Sequence, residues 1–178
     1  QINHPRHAIR NKIALITEDR KFTGLNLIGT VAENITIVNL GRLFRNGLIN
    51  RKKEREIADI YIDKLSIRTP NAQQQIANLS GGNQQKVVIA KWLLSEPDVI
   101  ILDEPTRAID VGAKRDIYLL IGELVQQGKA VIVISSEIPE VMGLADRILV
   151  MAEGRVTGEL ERSEFSQERI MTYAAQFG

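Results

Sequence analysis

Three four-residue apolar runs decide what class of structure this chain can adopt: Ile13-Ala14-Leu15-Ile16, Val99-Ile100-Ile101-Leu102 and Val131-Ile132-Val133-Ile134. Each is too short for a buried helix and shows no alternation with polar residues, so each is predicted to be a buried strand. Around them the signals are helical. Thr30-Val31-Ala32-Glu33 is a capping box that opens a short helix through about Leu40. Asn50 can cap a helix through about Leu65, and Ser80 heads a helical region that Pro97 ends. A helix from about Val111 to Gln127 stops at Gly128, a suitable residue just past a helix end. A short helix is expected after Ser136 and a last one around Gln167 to Ala175. Ile148–Met151 and Arg155–Leu160 flank Glu153-Gly154, which predicts a hairpin. Buried strands alternating with helices require an α/β fold around a largely parallel sheet. The stretch from about Val31 to Gln75 carries no strand pattern and is expected to be a helical insert.

Composition adds mainly exclusions. Net charge is +1, from 23 basic and 22 acidic residues, so no global field favours nucleic acid or an acidic partner. With no cysteine there is no disulfide and no cysteine–zinc site. No apolar run approaches the roughly 20 residues of a membrane-spanning helix. The sequence opens at Gln1 without Met, signal or transit segment, and is expected to be a piece of something longer.

The most telling polar stretch is Leu79-Ser80-Gly81-Gly82-Asn83-Gln84-Gln85-Lys86. Ser80 is a favoured N-cap, and two residues without Cβ follow it. The first-turn N–H groups lack intrahelical partners, and the helix dipole adds positive potential. Such a terminus suits a phosphate. Yet the sequence contains no G-x-x-x-x-G-K-[ST] loop to hold a nucleotide's phosphates.

The second polar signal closes the middle apolar run. Asp103 and Glu104 would stand at the carboxyl end of a central strand, where open α/β sheets bind ligands. In a nucleotide hydrolase the first carboxylate holds Mg²⁺ and the second can orient the attacking water. Ser80 precedes Asp103 by 23 positions, with a helix and a strand between them.

Together these residues make the chain resemble the nucleotide-binding domain of ABC transporters. In that resemblance Leu79–Gln84 is the signature loop, Val99–Glu104 the Walker B strand, and Asp110 the aspartate of the D-loop. Thr30–Ile35 matches part of the helical subdomain. The finer strings "ITEDRKFTGL" (Ile16–Leu25), "DEPTRAIDVGAK" (Asp103–Lys114), "SSEIPEV" (Ser135–Val141) and "DRILVMAEG" (Asp146–Gly154) look like the C-terminal half of tandem ATPases driving bacterial monosaccharide importers of the ribose, galactose and xylose type.

The resemblance implies a P-loop NTPase-like (RecA-like) core. Its helical subdomain would comprise about 31–75 and the signature helix 80–94, and its own Walker A loop would lie upstream of Gln1. It also implies ATP and Mg²⁺ as ligands. Ser80, Gly81, Gly82, Asn83 and Gln84 would face the ATP bound by a partner domain, either the N-terminal ABC half of the same polypeptide or a second ABC domain. Asp103 would hold Mg²⁺ through water, Glu104 would be catalytic, and Asp110 would lie near nucleotide. Transmembrane permease subunits would receive the helical insert at the cytoplasmic face of the bacterial membrane, and a separate sugar-binding protein would select the sugar. No nucleic acid is implied.

Two positions depart from the general pattern. Glu18 stands where a Q-loop glutamine is usual, and Ser136 where a switch histidine would contact the γ-phosphate. A carboxylate cannot donate as an amide does, and losing an oriented donor to a transferring phosphoryl group costs ~3 kcal/mol of transition-state stabilisation. The site containing Asp103 and Glu104 is therefore expected to be impaired. The isolated chain, without its phosphate loop, is expected to be inactive. Rival readings are a soluble ABC-class ATPase acting on nucleic acid or ribosomes, and a catalytically degenerate regulatory domain. The first usually brings coiled-coil arms, zinc modules or a basic linker, and the second draws on Glu18 and Ser136. His4 and His7 read as surface residues, the Arg51–Arg55 cluster as a solvated helix face, and Trp92 as core.

Overall fold

The computed structural model describes residues 2–45 and 48–176. Gln1, Asn46, Gly47, Phe177 and Gly178 lie outside it, so the expectation of an insert without strands bears on its other residues. The described residues form two compact units that divide between Ile132 and Val133.

The first unit opens with a short helix, α1 (Pro5–Arg10), whose N-terminus is capped by the His4 ring accepting from the Arg6 N–H at 3.1 Å. Lys12, at φ 56°, turns the chain into β1 (Ile13–Ile16). A five-residue π-helix, Arg20–Gly24, follows. Then comes α2 (Val31–Thr36), capped as expected: Thr30 Oγ accepts from the Glu33 N–H at 3.2 Å, and the Glu33 carboxylate accepts from the Thr30 N–H at 3.0 Å. The predicted continuation to Leu40 is a 3₁₀ turn, Ile37–Arg42.

Two short strands, β2 (Phe44–Arg45) and β3 (Leu48–Ile49), pair antiparallel inside the insert. This corrects the expectation of an insert without strands. Runs of two residues are too short to leave a periodic signature.

Helix α3 (Arg51–Lys64) is capped by Asn50, and α4 (Gly81–Leu93) runs through the middle of the unit. Val87, Val88, Ile89 and Ala90 of α4 are at most 1% exposed, and burying each of the three larger side chains contributes about 1.5–3 kcal/mol. The basic residues Arg51, Lys52, Lys53 and Arg55 are exposed, as expected of a solvated face, but Glu54 among them is buried. Arg51 donates to Glu33 at 3.2 Å and to the buried Glu54 at 2.8 Å, tying α3 to α2. Trp92 is half-buried rather than core, with the Lys91 ammonium 5.5 Å from its ring centre.

Strand β4 (Val99–Asp103) lies parallel to β1 in the register Ile13↔Val99 through Ile16↔Leu102. After α5 (Val111–Gln126) comes β5 (Ala130–Ile134), giving the sheet order β1-β4-β5. On one face Ala14, Ile16, Ile100 and Leu102 are fully buried, with α4 packed against β1. The opposite face is more open: Leu15 of the edge strand β1 is 47% exposed. Strand β5 is the other edge and also departs from expectation, for Ile132 is 51% exposed.

In the second unit α6 (Ile138–Leu144) precedes the hairpin of β6 (Arg147–Ala152) and β7 (Arg155–Glu161). Its turn places Glu153 at φ 47° and Gly154 at φ 75°, the left-handed pair that a two-residue hairpin requires. Helix α7 (Gln167–Ala174) closes the unit, with Ile170 joining Ile148, Val150 and Leu160 in a small core. No helix among the described residues is long and apolar enough to cross a membrane.

Candidate functional site

Because β1 and β4 are parallel and in register, the loops leaving Ile16 and Leu102 emerge side by side. Asp103 is the last residue of β4 and half-buried. Glu104 follows at φ 45°, and Ala108 stands at φ 55°. Two non-glycine residues in the left-handed region within one short loop cost of order 1–3 kcal/mol each, so contacts must hold this segment in shape. The Arg107 N–H donates to the Glu104 carbonyl at 3.1 Å, and Thr106 is 1% exposed.

The neighbouring loop supplies further contacts. Asp19 starts the π-helix by accepting from the N–H groups of Lys21 and Phe22, at 2.9 and 3.0 Å. Glu18 forms an ion pair with Arg107. The Arg20 guanidinium donates to the carbonyls of Arg107 at 3.0 Å and Ala108 at 3.3 Å. Neither arginine carries a signal in the sequence, since each finds its partner only once β1 and β4 are adjacent.

The start of α4 adjoins the same loops. Ser80 occupies the N-cap position but makes no capping hydrogen bond, which corrects its expected capping role. Its hydroxyl accepts from Asn83 Nδ2 at 2.9 Å, while Asn83 Oδ1 accepts from the Arg68 N–H at 2.8 Å. Both ends of the Asn83 amide are thus in use, and no capping side chain occupies the first-turn N–H groups. The glycines have internal reasons as well. A Cβ on Gly81 would lie 2.8 Å from Arg20 Nη2 and 3.3 Å from the Ala108 carbonyl oxygen, and one on Gly82 would lie 2.3 Å from Ala113 Cβ. Gln84 turns inward instead, 4% exposed and donating to the Ile76 carbonyl at 3.2 Å.

Asp110 caps α5, accepting from the Ala113 N–H at 2.9 Å. The structure therefore brings together Glu18, Glu104's loop, the α4 start and Asp110, all in the first unit. Ser136 lies in the second unit, exposed, beyond β5. Next to it Ser135 contacts Glu140 and accepts from the Glu137 N–H at 3.0 Å.

A parallel sheet with strand-end carboxylates beside an uncapped glycine helix start defines an ATP-binding-cassette type of domain. Residues 1–107 match the family described as ABC transporter, and the chain belongs to that family. It is 53% identical over 178 residues to the ribose import ATP-binding protein of Clostridium tetani, covering 99% of this chain and 35% of that protein. It is also 53% identical over 178 residues to the xylose import ATP-binding protein of Thermoanaerobacter pseudethanolicus, covering 100% of this chain and 35% of that one. The chain thus spans about a third of the length of the curated relatives it matches. Among solved structures it resembles the dimeric ATP-binding cassette MJ0796 bound to ADP and Pi, with a TM-score of 0.74 and 25% identity over 93% of this chain and 70% of that one. The α/β expectation and the family resemblance are both borne out.

Proposed function

We propose that this chain is part of the C-terminal ATP-binding domain of an ATP-driven monosaccharide importer. The observation that carries the reading is its 53% identity, across nearly all of its length, to ribose and xylose import ATP-binding proteins. In this reading the helical subdomain is about residues 31–75 plus the signature helix 80–94, and the remainder is core sheet with the terminal hairpin and helix.

The first-turn N–H groups of α4, at Gly81, Gly82 and Asn83, bind the phosphates of ATP held by a second ABC domain, with Ser80 at the rim. The fit rests on that helix start, which no side chain caps. Asp103 would hold Mg²⁺ through water. No group of three or more His, Cys, Asp or Glu side chains among the described residues could hold a metal, and magnesium keeps several waters and takes phosphate oxygens. Bound Mg-ATP supplies the phosphoryl group whose hydrolysis drives transport. Glu104 orients and deprotonates the attacking water at the end of β4, while Asp110 keeps α5 in place beside Gly82. Ser136, at the switch position, cannot act as a cation, which leaves the site containing Glu104 the weaker of two.

The insert docks on transmembrane permease subunits at the cytoplasmic face of a bacterial membrane, and a sugar-binding protein selects the cargo. The test is uptake by vesicles containing the full polypeptide, its permease and its binding protein. ATP-dependent accumulation of a labelled pentose or hexose supports the reading. Turnover that responds to nucleic acid or ribosomes and not to sugar replaces it with a soluble ABC-class ATPase, and no turnover with intact binding replaces it with a regulatory domain.

A further inference from the structure

We infer that Arg20 is a positioning residue that holds three segments as one body: the loop after β1, the strained segment after Glu104, and the glycine start of α4. The inference deepens the proposed function and rests on it for its catalytic consequence, whereas the geometry stands by itself. Arg20 is 87 residues from Arg107, yet its two terminal nitrogens donate to successive carbonyls, at 3.0 Å to Arg107 and 3.3 Å to Ala108. These carbonyls lie in the stretch bounded by the left-handed Glu104 and Ala108, so the donors act where the backbone is strained. The same Nη2 occupies the space beside Gly81, 2.8 Å from where a Cβ would stand. Any other residue at 81 would push the guanidinium off its carbonyls.

The contact is reciprocal. Arg107 reaches back to Glu18 in an ion pair, so each loop lends an arginine to the other. The carboxylate at 18 is thereby neutralised instead of standing as a bare charge near phosphate. At its far end the loop is pinned again, by Lys91 of α4 donating to the Gly24 carbonyl. Between these anchors sits the π-helix Arg20–Gly24, a rare conformation frequent at functional sites. The Arg20 Nε is buried with no partner, a cost that only the fork of two terminal donors offsets. Lysine presents a single ammonium and cannot span both carbonyls in that geometry. As a positioning residue Arg20 acts through the glycine start of α4, which in the proposed function serves the stronger site, by fixing it against the loop that follows Glu104.

The test compares Arg20→Ala and Arg20→Lys with wild type in the full polypeptide that carries this chain. Hydrogen exchange should accelerate at least about tenfold, the loss of one charge-assisted hydrogen bond at the low end of its range, at both 17–24 and 106–110, with β4 unchanged. Arg20→Lys should recover less than half of the protection. Acceleration confined to 17–24, or none, overturns the inference, as does full rescue by lysine. In steady-state turnover with the permease, kcat should fall about tenfold while KM for ATP stays within about twofold. A KM-only effect overturns the positioning role. If wild type itself shows no turnover, the proposed function fails while the exchange result still decides the clasp.

Discussion

Gly82 and Ala113 face each other so closely that a Cβ on Gly82 would stand 2.3 Å from the Cβ of Ala113. Carbon atoms settle at about 3.5–4.0 Å, so α4 and α5 meet here only because residue 82 has no side chain. The glycine is needed by the fold before any phosphate arrives.

Gly82→Ala should therefore destabilise the chain by about 1–3 kcal/mol, the usual range for overpacking, with no nucleotide present. Urea denaturation would measure it. Ala113→Gly in the same background should restore most of the loss, less the ~0.5–1 kcal/mol that glycine costs in a helix. An unaltered midpoint for Gly82→Ala would mean that the helices are not packed as described.

A second expectation concerns acid. Lys86, 5% exposed, donates to Asp116 at 2.8 Å and to the Ser66 carbonyl at 3.1 Å. The Lys86 hydrogen bond holds the Asp116 carboxyl below its ordinary 3.8. A carboxyl lowered in the folded state stabilises above its unfolded value, and that contribution is lost as pH falls through the folded value. Asp116→Asn should cost about 1 kcal/mol at neutral pH, kept small because the carboxylate is partly exposed and screened. The gap from wild type should close as pH falls below the ordinary 3.8 and through the lowered folded value, once both forms are neutral. A gap independent of pH would assign the effect to shape, not charge.

In the second unit Gly158 gives the Tyr173 ring room to lie on the hairpin: a Cβ there would be 2.3 Å from Tyr173 Cγ. Gly158→Ala should lift α7, whose buried residue is Ile170. Limited proteolysis should cut within 167–174 sooner, and Tyr173→Ala in the same background should reverse the change. Equal cleavage rates in Gly158→Ala and wild type would count against the contact.

Features set by neighbouring residues were legible in the sequence. The Thr30–Glu33 box, the Asn50 and Asp110 caps and the Glu153-Gly154 turn depend on contacts within three or four positions. Strand β4 and its terminal Asp103 were legible for the same reason. What the sequence hid depends on which strands become neighbours. Glu18 could be placed at the strand end, but its neutralisation by Arg107 appears only once β1 lies against β4. Ser80 shows another limit: serine at an N-cap position predicts a cap, yet Asn83 outcompetes the backbone for its hydroxyl. The exposure of β5 was hidden too, because an apolar run cannot say whether it ends at a sheet edge.

The chain is proposed to play two roles, giving its α4 start to a partner's ATP and keeping Glu104 for its own site. A signature glycine would be the obvious residue to change, but Gly82→Asp would strike Ala113 and confound binding with folding. Ser80 avoids this, being exposed and making no capping bond. In the full polypeptide with its permease, Ser80→Arg puts bulk at the rim where a partner domain's phosphate would approach. Glu104→Gln keeps the shape of the loop and removes only the carboxylate of the site proposed to be the weaker of the two. Ser80→Arg should abolish most turnover, a loss of about a hundredfold, comparable to removing an oxyanion donor. Glu104→Gln should lower it by no more than about twofold, since the stronger site continues. Both rates come from one phosphate-release assay, with unfolding midpoints confirming that each variant is folded. Equal losses would mean that both sites turn over, and serine at 136 would not have disabled the one that contains Glu104.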